Sequence, residues 1–253
     1  IESYHGIATL DSKNCVKQLF EETLFRMNKP IIPKACKPIT HPLDIEYFSE
    51  YSAPIMELIH SSQITNVNST NPYFPIMIYA LIRQLGCENV VEFGVAEAYC
   101  AFFMANAVKD NGIRFGMEKN MYYGVDILNR SEQKKQLDAL GLPNTIIQMD
   151  SINLTPETFK GVVIDLLFLD GCHDDAHIFH EFITLWPQIK GEGNGFALLH
   201  DCYGPGEEGC RKVINYIKEN KFPVEYIQIP GMYGLLMIRK LEGLDPEKRF
   251  WHD

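Results

Sequence analysis

The chain has 253 residues, 46% of them hydrophobic, which is enough for one substantial core and too apolar for disorder to be its main state. Asp and Glu (33) outnumber Lys and Arg (23), and the resulting formal charge of -10 repels polyphosphates, so nucleic acid is not an expected substrate. The longest apolar runs, Ile76 to Ile82 and Val162 to Leu169, fall short of the about 20 residues that span a bilayer, and no membrane association is expected.

Seven cysteines, at 15, 36, 87, 100, 172, 202 and 210, form no C-x-x-C pair, which argues against a disulfide framework and a zinc ribbon and for reduced thiols. The chain opens Ile1-Glu-Ser-Tyr-His with neither Met nor an apolar leader, read here as a trimmed cytoplasmic product. The glycosylation patterns at Asn68 and Asn153 carry no weight without a secretion signal.

In chain order, helices are expected near Cys15 to Met27 and Leu43 to His60, separated by Pro30, Pro33, Pro38 and Pro42, which interrupt any regular helix. Residues 1–71 thus read as a helical appendage or lid, and residues 72–253 as the catalytic domain. Asn71-Pro72 fits an N-cap with Pro at the first helical position, and Gly86 ends that helix. Strand-like runs then alternate with amphipathic stretches. The strands are Val90 to Phe93, Tyr122 to Val125, Thr145 to Met149, Ile164 to Leu169 and Phe196 to Leu199. The helices are Ala98 to Val108, Ser131 to Leu140, Asp174 to Ile189 and Glu207 to Asn220. This alternation predicts an α/β fold with a doubly wound, mostly parallel sheet. Val224 to Ile229 and Gly234 to Arg239 are separated by too few residues for a crossover and should form an antiparallel hairpin, whose terminal strand closes the sheet.

Ligands of such sheets bind beyond the carboxyl ends of the strands. The first strand leads into Glu92-Phe-Gly94-Val-Ala96-Glu-Ala98, small at alternate positions. A dinucleotide fingerprint starting at Gly94 would need Gly where Tyr99 stands, which disfavours NAD. Asp126 follows the second strand and suits a ribose diol; Asp150-Ser151 follows the third; Asp170-Gly-Cys-His173 the fourth; His200-Asp201 the fifth. One strand-end acid is an ordinary helix cap, but five in succession form a pattern.

On these residues the segment from about Pro72 to Lys240 resembles class I S-adenosylmethionine-dependent methyltransferases with a Rossmann-like fold. The family's acid-x-Gly-x-Gly-x-Gly loop stands here as Glu92, Gly94, Ala96 and Ala98, with two glycines replaced by alanine. The resemblance implies that Asp126 holds the ribose, Ile127 packs on adenine, and Asp150 with Ser151 contacts its edge. The Asp170-Gly-Cys-His173 segment, the His200-Asp201 pair and the hairpin resemble the metal-dependent O-methyltransferase branch, closest in pattern to macrolide-sugar O-methyltransferases and cephalosporin-methoxylation proteins.

By that resemblance Asp170, His200 and Asp201 bind a divalent cation. His200 stands where the family usually has an acid, which broadens tolerance from Mg²⁺ toward Mn²⁺ or Fe²⁺. Adjacent strand residues face opposite sides, so His200 and Asp201 can share a metal only if the strand ends there. His173 is the expected general base beside Asp170, on the first turn of the following helix. The implied activity is O-methyl transfer to a hydroxyl of a small polar acceptor, a sugar or natural-product intermediate. The sequence leaves a homodimer open.

Three rival readings use the same residues. His173, His177 and His180 suit one helix face, but H-E-x-x-H is absent because Asp174 replaces the Glu, which sets a metal-dependent hydrolase behind the transferase; His177 and His180 are set aside. Asn71-Pro72-Tyr73-Phe74 faintly resembles an amino-methylating loop and is better explained as a helix cap. A catalytically inactive methyltransferase-fold binding protein is the third, since fold does not fix function. Cys172 and Cys202 flank the expected site as possible softer ligands or space fillers, and Tyr203 and Tyr233 line a pocket or cover the core.

Overall fold

In a computed structural model, the structure describes residues 73–229 and 233–243. The expected appendage, and Asn71-Pro72 as a cap, lie outside the described residues. Helix α1 (Tyr73–Leu85) ends where Gly86 turns left-handed at φ +65°, as its sequence predicts. Strand β1 (Asn89–Phe93) leads into helix α2 (Tyr99–Phe115), which runs past the expected end at Val108. The polar stretch Lys109-Asp110-Asn111 reads as a helix end, but α1 satisfies it: Arg83 donates to Asn111 at 2.7 Å, Asn111 donates to the Ile82 carbonyl at 2.9 Å, and Tyr79 donates to Asp110 at 2.6 Å. Buried polar groups with partners extend a helix as well as apolar ones do.

The remaining elements are β2 (Met121–Asp126), α3 (Ser131–Ala139), β3 (Asn144–Gln148), 3₁₀ turns at Ser151–Asn153 and Pro156–Phe159, β4 (Leu166–Leu169), α4 (Asp175–Leu185), a 3₁₀ turn at Trp186–Gln188, β5 (Gly195–His200), α5 (Glu207–Glu219), β6 (Val224–Ile229) and β7 (Leu235–Lys240). β4 starts two residues later than expected, and just before it the Asp165 carboxylate accepts the Glu88 and Asn89 amides at 2.8 and 2.9 Å. α4 gives way to a 3₁₀ turn at Trp186 because Pro187 has no N–H with which to continue it.

The strand order is β3-β2-β1-β4-β5-β7-β6, parallel from β3 through β5 and antiparallel from β5 to β7 and from β7 to β6. This confirms a doubly wound, mostly parallel sheet with a C-terminal hairpin, and corrects one expectation. The last strand does not close the sheet; β7 lies inside and β6 is the edge. The reason is apolar content: Leu235, Leu236 and Ile238 of β7 are fully buried, whereas β6 exposes Tyr226, Ile227 and Gln228. Val91, Phe93, Leu167, Leu169, Ala197 and Leu199 pack beneath α4 and α5 in the core. The order reverses between β1 and β4, so a crevice opens at the carboxyl ends of these strands. No helix among the described residues is long and apolar enough to cross a membrane.

Candidate active site

The loop after β1 is held in an unusual backbone conformation. Gly94 has φ +92°, Ala96 +45° and Ala98 +63°, so the two alanines occupy left-handed positions that glycine takes without cost. A methyl group at Gly94 would stand 2.2 Å from the Asp170 carbonyl oxygen, so the space left by this glycine is filled by the loop after β4. Gly94 thus brings two strand-end loops together.

Glu92 lies within β1 and is 1% exposed; the Tyr122 hydroxyl of β2 donates to its carboxylate. Burial pushes the Glu92 carboxyl up to about 8, with Tyr122 acting in the opposite sense. Gly124, opposite Glu92 in the ladder, makes room for that hydroxyl, since a methyl there would come within 2.7 Å of it. Glu92 is therefore buried within the sheet and paired with Tyr122 at the base of the loop.

Asp126 ends β2 with its carboxylate already engaged. One oxygen accepts the Ala96 amide at 3.0 Å and the Arg130 Nε at 2.9 Å, and the other accepts the Leu128 amide at 2.8 Å. Asp126 thereby fixes the loop after β1. Beside it Ile127 is 61% exposed, an apolar side chain left open next to the carboxylate. Asp150 caps the turn at Ser151–Asn153 by accepting the Ile152 amide at 3.1 Å, and its Oδ1 also lies 3.3 Å from His177 Nε2.

At the ends of β4 and β5 the sequence-expected set converges. β5 ends at His200, and Asp201 takes a left-handed φ of +59°, so the alternation of side chains breaks and both residues turn toward Asp170. Such strain in a non-glycine residue costs on the order of 1 kcal/mol and persists where surroundings enforce it. His200 Nδ1 lies 2.9 Å from Asp170 Oδ1 and 3.1 Å from Asp201 Oδ1. His173 Nδ1 lies 2.9 Å from Asp201 Oδ2. Asp201 thus presents one oxygen to each imidazole.

Burial works against a charged His200, but Asp170 and Asp201 outweigh it and hold the imidazole up at about 9. Burial would raise Asp201, yet His173 and His200 keep it well below the usual carboxylate range. The hydrogen bond that His173 donates to Asp201 raises the imidazole above its ordinary value. The donors of Asp170, His200 and Asp201 all lie within 4.8 Å of one another. Ligands at right angles around a small cation, each about 2.1 Å away, are separated by about 3 Å, which matches the His200 distances. Two carboxylates and an imidazole suit Mg²⁺, Mn²⁺ or Fe²⁺.

Other expectations need adjustment. His173 lies in the loop before α4, whose cap is Asp174, and not on its first turn. It therefore shares no helix face with His177, which binds Asp174 and Asp150, or with His180, whose Nε2 is 3.0 Å from the Leu154 carbonyl. Cys202 is buried at 2%, whereas Cys172 is exposed, so only the former fills space. Tyr203 and Tyr233 are half-exposed neighbours, the Tyr203 amide donating to the Tyr233 carbonyl at 2.7 Å. Arg130 and His177 were not among the expected site residues; the i, i+4 spacing of Asp126 and Arg130 was the available signal for the first.

Residues 91–202 match the family described as methyltransferase domain. The solved structures similar to this chain include the O-methyltransferase TomG from Streptomyces achromogenes, involved in tomaymycin synthesis and solved with S-adenosylmethionine, at 12% identity and a TM-score of 0.59 over 93% of this chain and 100% of that one. The methyltransferase PaMTH1 of Podospora anserina, bound to SAH, matches at 14% identity and TM-score 0.54 over 93% and 99%. An O-methyltransferase from Bacillus cereus, in complex with SAH, matches at 14% and 0.55 over 77% and 96%. No curated protein matches the chain by sequence. Fold and site define a Rossmann-like protein built to hold ligands at its strand ends. The central part of the chain is thus similar to a methyltransferase domain, and the sheet has the Rossmann-like order of the solved methyltransferases it resembles.

Proposed function

We propose that the chain is an S-adenosylmethionine-dependent, divalent-metal-assisted O-methyltransferase acting on a hydroxyl of a small polar molecule, such as a sugar or a natural-product intermediate. The observation that carries this reading is the convergence of Asp170, His200, Asp201 and His173 beside the Gly94 loop. Asp126 would hold the ribose, exposed Ile127 would cover adenine, and Asp150 with Ser151 would meet its edge. Asp170, His200 and Asp201 would hold the cation, which when bound supplies Lewis acidity that lowers the pKa of a hydroxyl.

The protein's own part is orientation and proton transfer. Asp201 fixes the His173 ring through Nδ1, leaving Nε2 as the base for the acceptor hydroxyl proton, an arrangement in which a carboxylate sets the tautomer of a catalytic imidazole. His173 is 42% exposed in its side chain, so the ring is open to an incoming acceptor. Tyr203 and Tyr233 would flank that acceptor.

Calorimetry with S-adenosylmethionine and with Mn²⁺ tests the assignment. Both should bind the parent; Asp126→Asn should weaken cofactor binding by about 2 kcal/mol, roughly 30-fold, and Asp201→Asn should weaken the cation. Binding of neither ligand would mark an inactive binding protein, and binding of the metal alone a hydrolase.

A further inference from the structure

The loop between β4 and α4 sends its side chains to two different places. Asp170 and His173 turn to the centre described above, whereas Cys172, Asp174 and His177 gather on the other side. Cys172 Sγ lies 3.0 Å from Asp174 Oδ2, and His177 Nδ1 lies 2.7 Å from that same oxygen. The three donors fall within 4.8 Å of one another. Asp174 has a second duty, since its Oδ1 accepts the His177 amide at 2.9 Å and caps α4, which fixes the carboxylate and leaves Oδ2 facing the thiol and the imidazole.

Two further observations distinguish this cluster from an ordinary polar helix start. His177 Nε2, the nitrogen turned away from the cluster, is 3.3 Å from Asp150 Oδ1. Metal-bound imidazoles typically have such a carboxylate partner on the second nitrogen; here Nδ1, which donates to Asp174 Oδ2, would give up its proton to ligate while Nε2–H turns to Asp150. One helical turn beyond His177, Glu181 is 1% exposed. Its buried carboxyl, hydrogen-bonded by Ser151, lies near His177, Asp174 and Asp150.

The geometry points to a second metal site, a Zn²⁺ site formed by Cys172, Asp174 and His177, separate from the Asp170 centre and unlike it in chemistry. A thiolate with an imidazole and one carboxylate selects a borderline-soft cation in a tetrahedral setting, whereas the Asp170 set has no sulfur. Cys172 and Asp174 are exposed, so the fourth position faces solvent. On binding, the thiol proton and any proton on His177 Nδ1 leave to water, and the metal–sulfur and metal–nitrogen bonds replace them. Through His177 and Asp150 the ion would tie the turn after β3 to the first turn of α4. This inference does not depend on cofactor binding.

Co²⁺ reports the site directly, because thiolate ligation gives a near-ultraviolet charge-transfer band and tetrahedral geometry gives intense visible bands. Titration of the whole chain with Co²⁺ should develop both, and Zn²⁺ should bleach them. Cys172→Ser, a change at an exposed position, should remove the charge-transfer band with circular dichroism unchanged. Asp150→Asn should weaken Co²⁺ affinity 10- to 100-fold. Asp201→Asn should leave the band in place. The proposal is overturned if the parent gives no band, if Cys172→Ser keeps it, or if Asp201→Asn abolishes it, which would merge the two centres into one.

Discussion

At Gly94 one methyl group would decide whether the site exists. Its Cβ would stand 2.2 Å from the Asp170 carbonyl oxygen, and its φ of +92° is unfavourable for any L side chain. Gly94→Ala should therefore cost about 3 kcal/mol or more and also displace Asp170, so that cation affinity falls together with stability. Ala98 presents the converse. It holds φ +63° without a side-chain cap bond, so Ala98→Gly should relieve strain and raise stability by about 0.5 to 1 kcal/mol in urea unfolding.

His173 is a residue whose neighbours change the expectation from sequence. Because its Nδ1 engages Asp201, His173→Ala should do more than lower kcat by about 10²- to 10⁴-fold at saturating cation. It should also loosen a ligand, weakening the cation about 10- to 100-fold. The parent's rate should rise with pH as the imidazole deprotonates, above the usual histidine range because Asp201 holds the proton. If the variant keeps both the parent's acid limb and its kcat in a pH–rate profile, His173 is not the base.

At the scale of elements, the Glu92–Tyr122 pair joins β1 to β2 under the loop. The folded chain holds the Glu92 carboxyl at about 8 through burial, against 4.5 ordinarily, so it keeps a proton that the unfolded chain releases in between. Unfolding then releases protons, and this group makes stability fall as pH rises through that window. Glu92→Gln should flatten that part of the decline, read as the parent-minus-variant difference in unfolding free energy from about pH 5 to about pH 9. An unchanged slope would show that Glu92 is already ionised in the fold.

Elements with strong local signals are legible in the sequence. The apolar runs and the Gly86 stop locate β1 to β5 and the end of α1 within a few residues. Features that depend on distant partners are not. α2 extends because Arg83 and Tyr79 of another helix satisfy Asn111 and Asp110, and β7 lies inside β6 because burial on two faces outweighs chain order.

For the whole molecule, the site is legible for a topological reason. A parallel sheet collects its strand ends on one edge, so five separated sequence positions become neighbours without any knowledge of side-chain contacts. Reading those ends finds Asp170, His200 and Asp201 together. It does not find Arg130 on Asp126, or His177 between Asp150 and Asp174, because those contacts depend on how long side chains reach across loops. Nor does it reveal that Asp201 turns left-handed, the local event that lets neighbouring strand residues meet one partner.

A cation held by Asp170, His200 and Asp201 would lie beside the reactive methyl group of a cofactor seated at the Gly94 loop. Paramagnetic relaxation of S-adenosylmethionine labelled with carbon-13 at its methyl tests this without an acceptor. With Mn²⁺ bound, the methyl resonance should relax strongly faster than with Mg²⁺, and Asp170→Asn should abolish the difference. A parent chain that binds both the cofactor and Mn²⁺ yet leaves the methyl relaxation unchanged would contradict it.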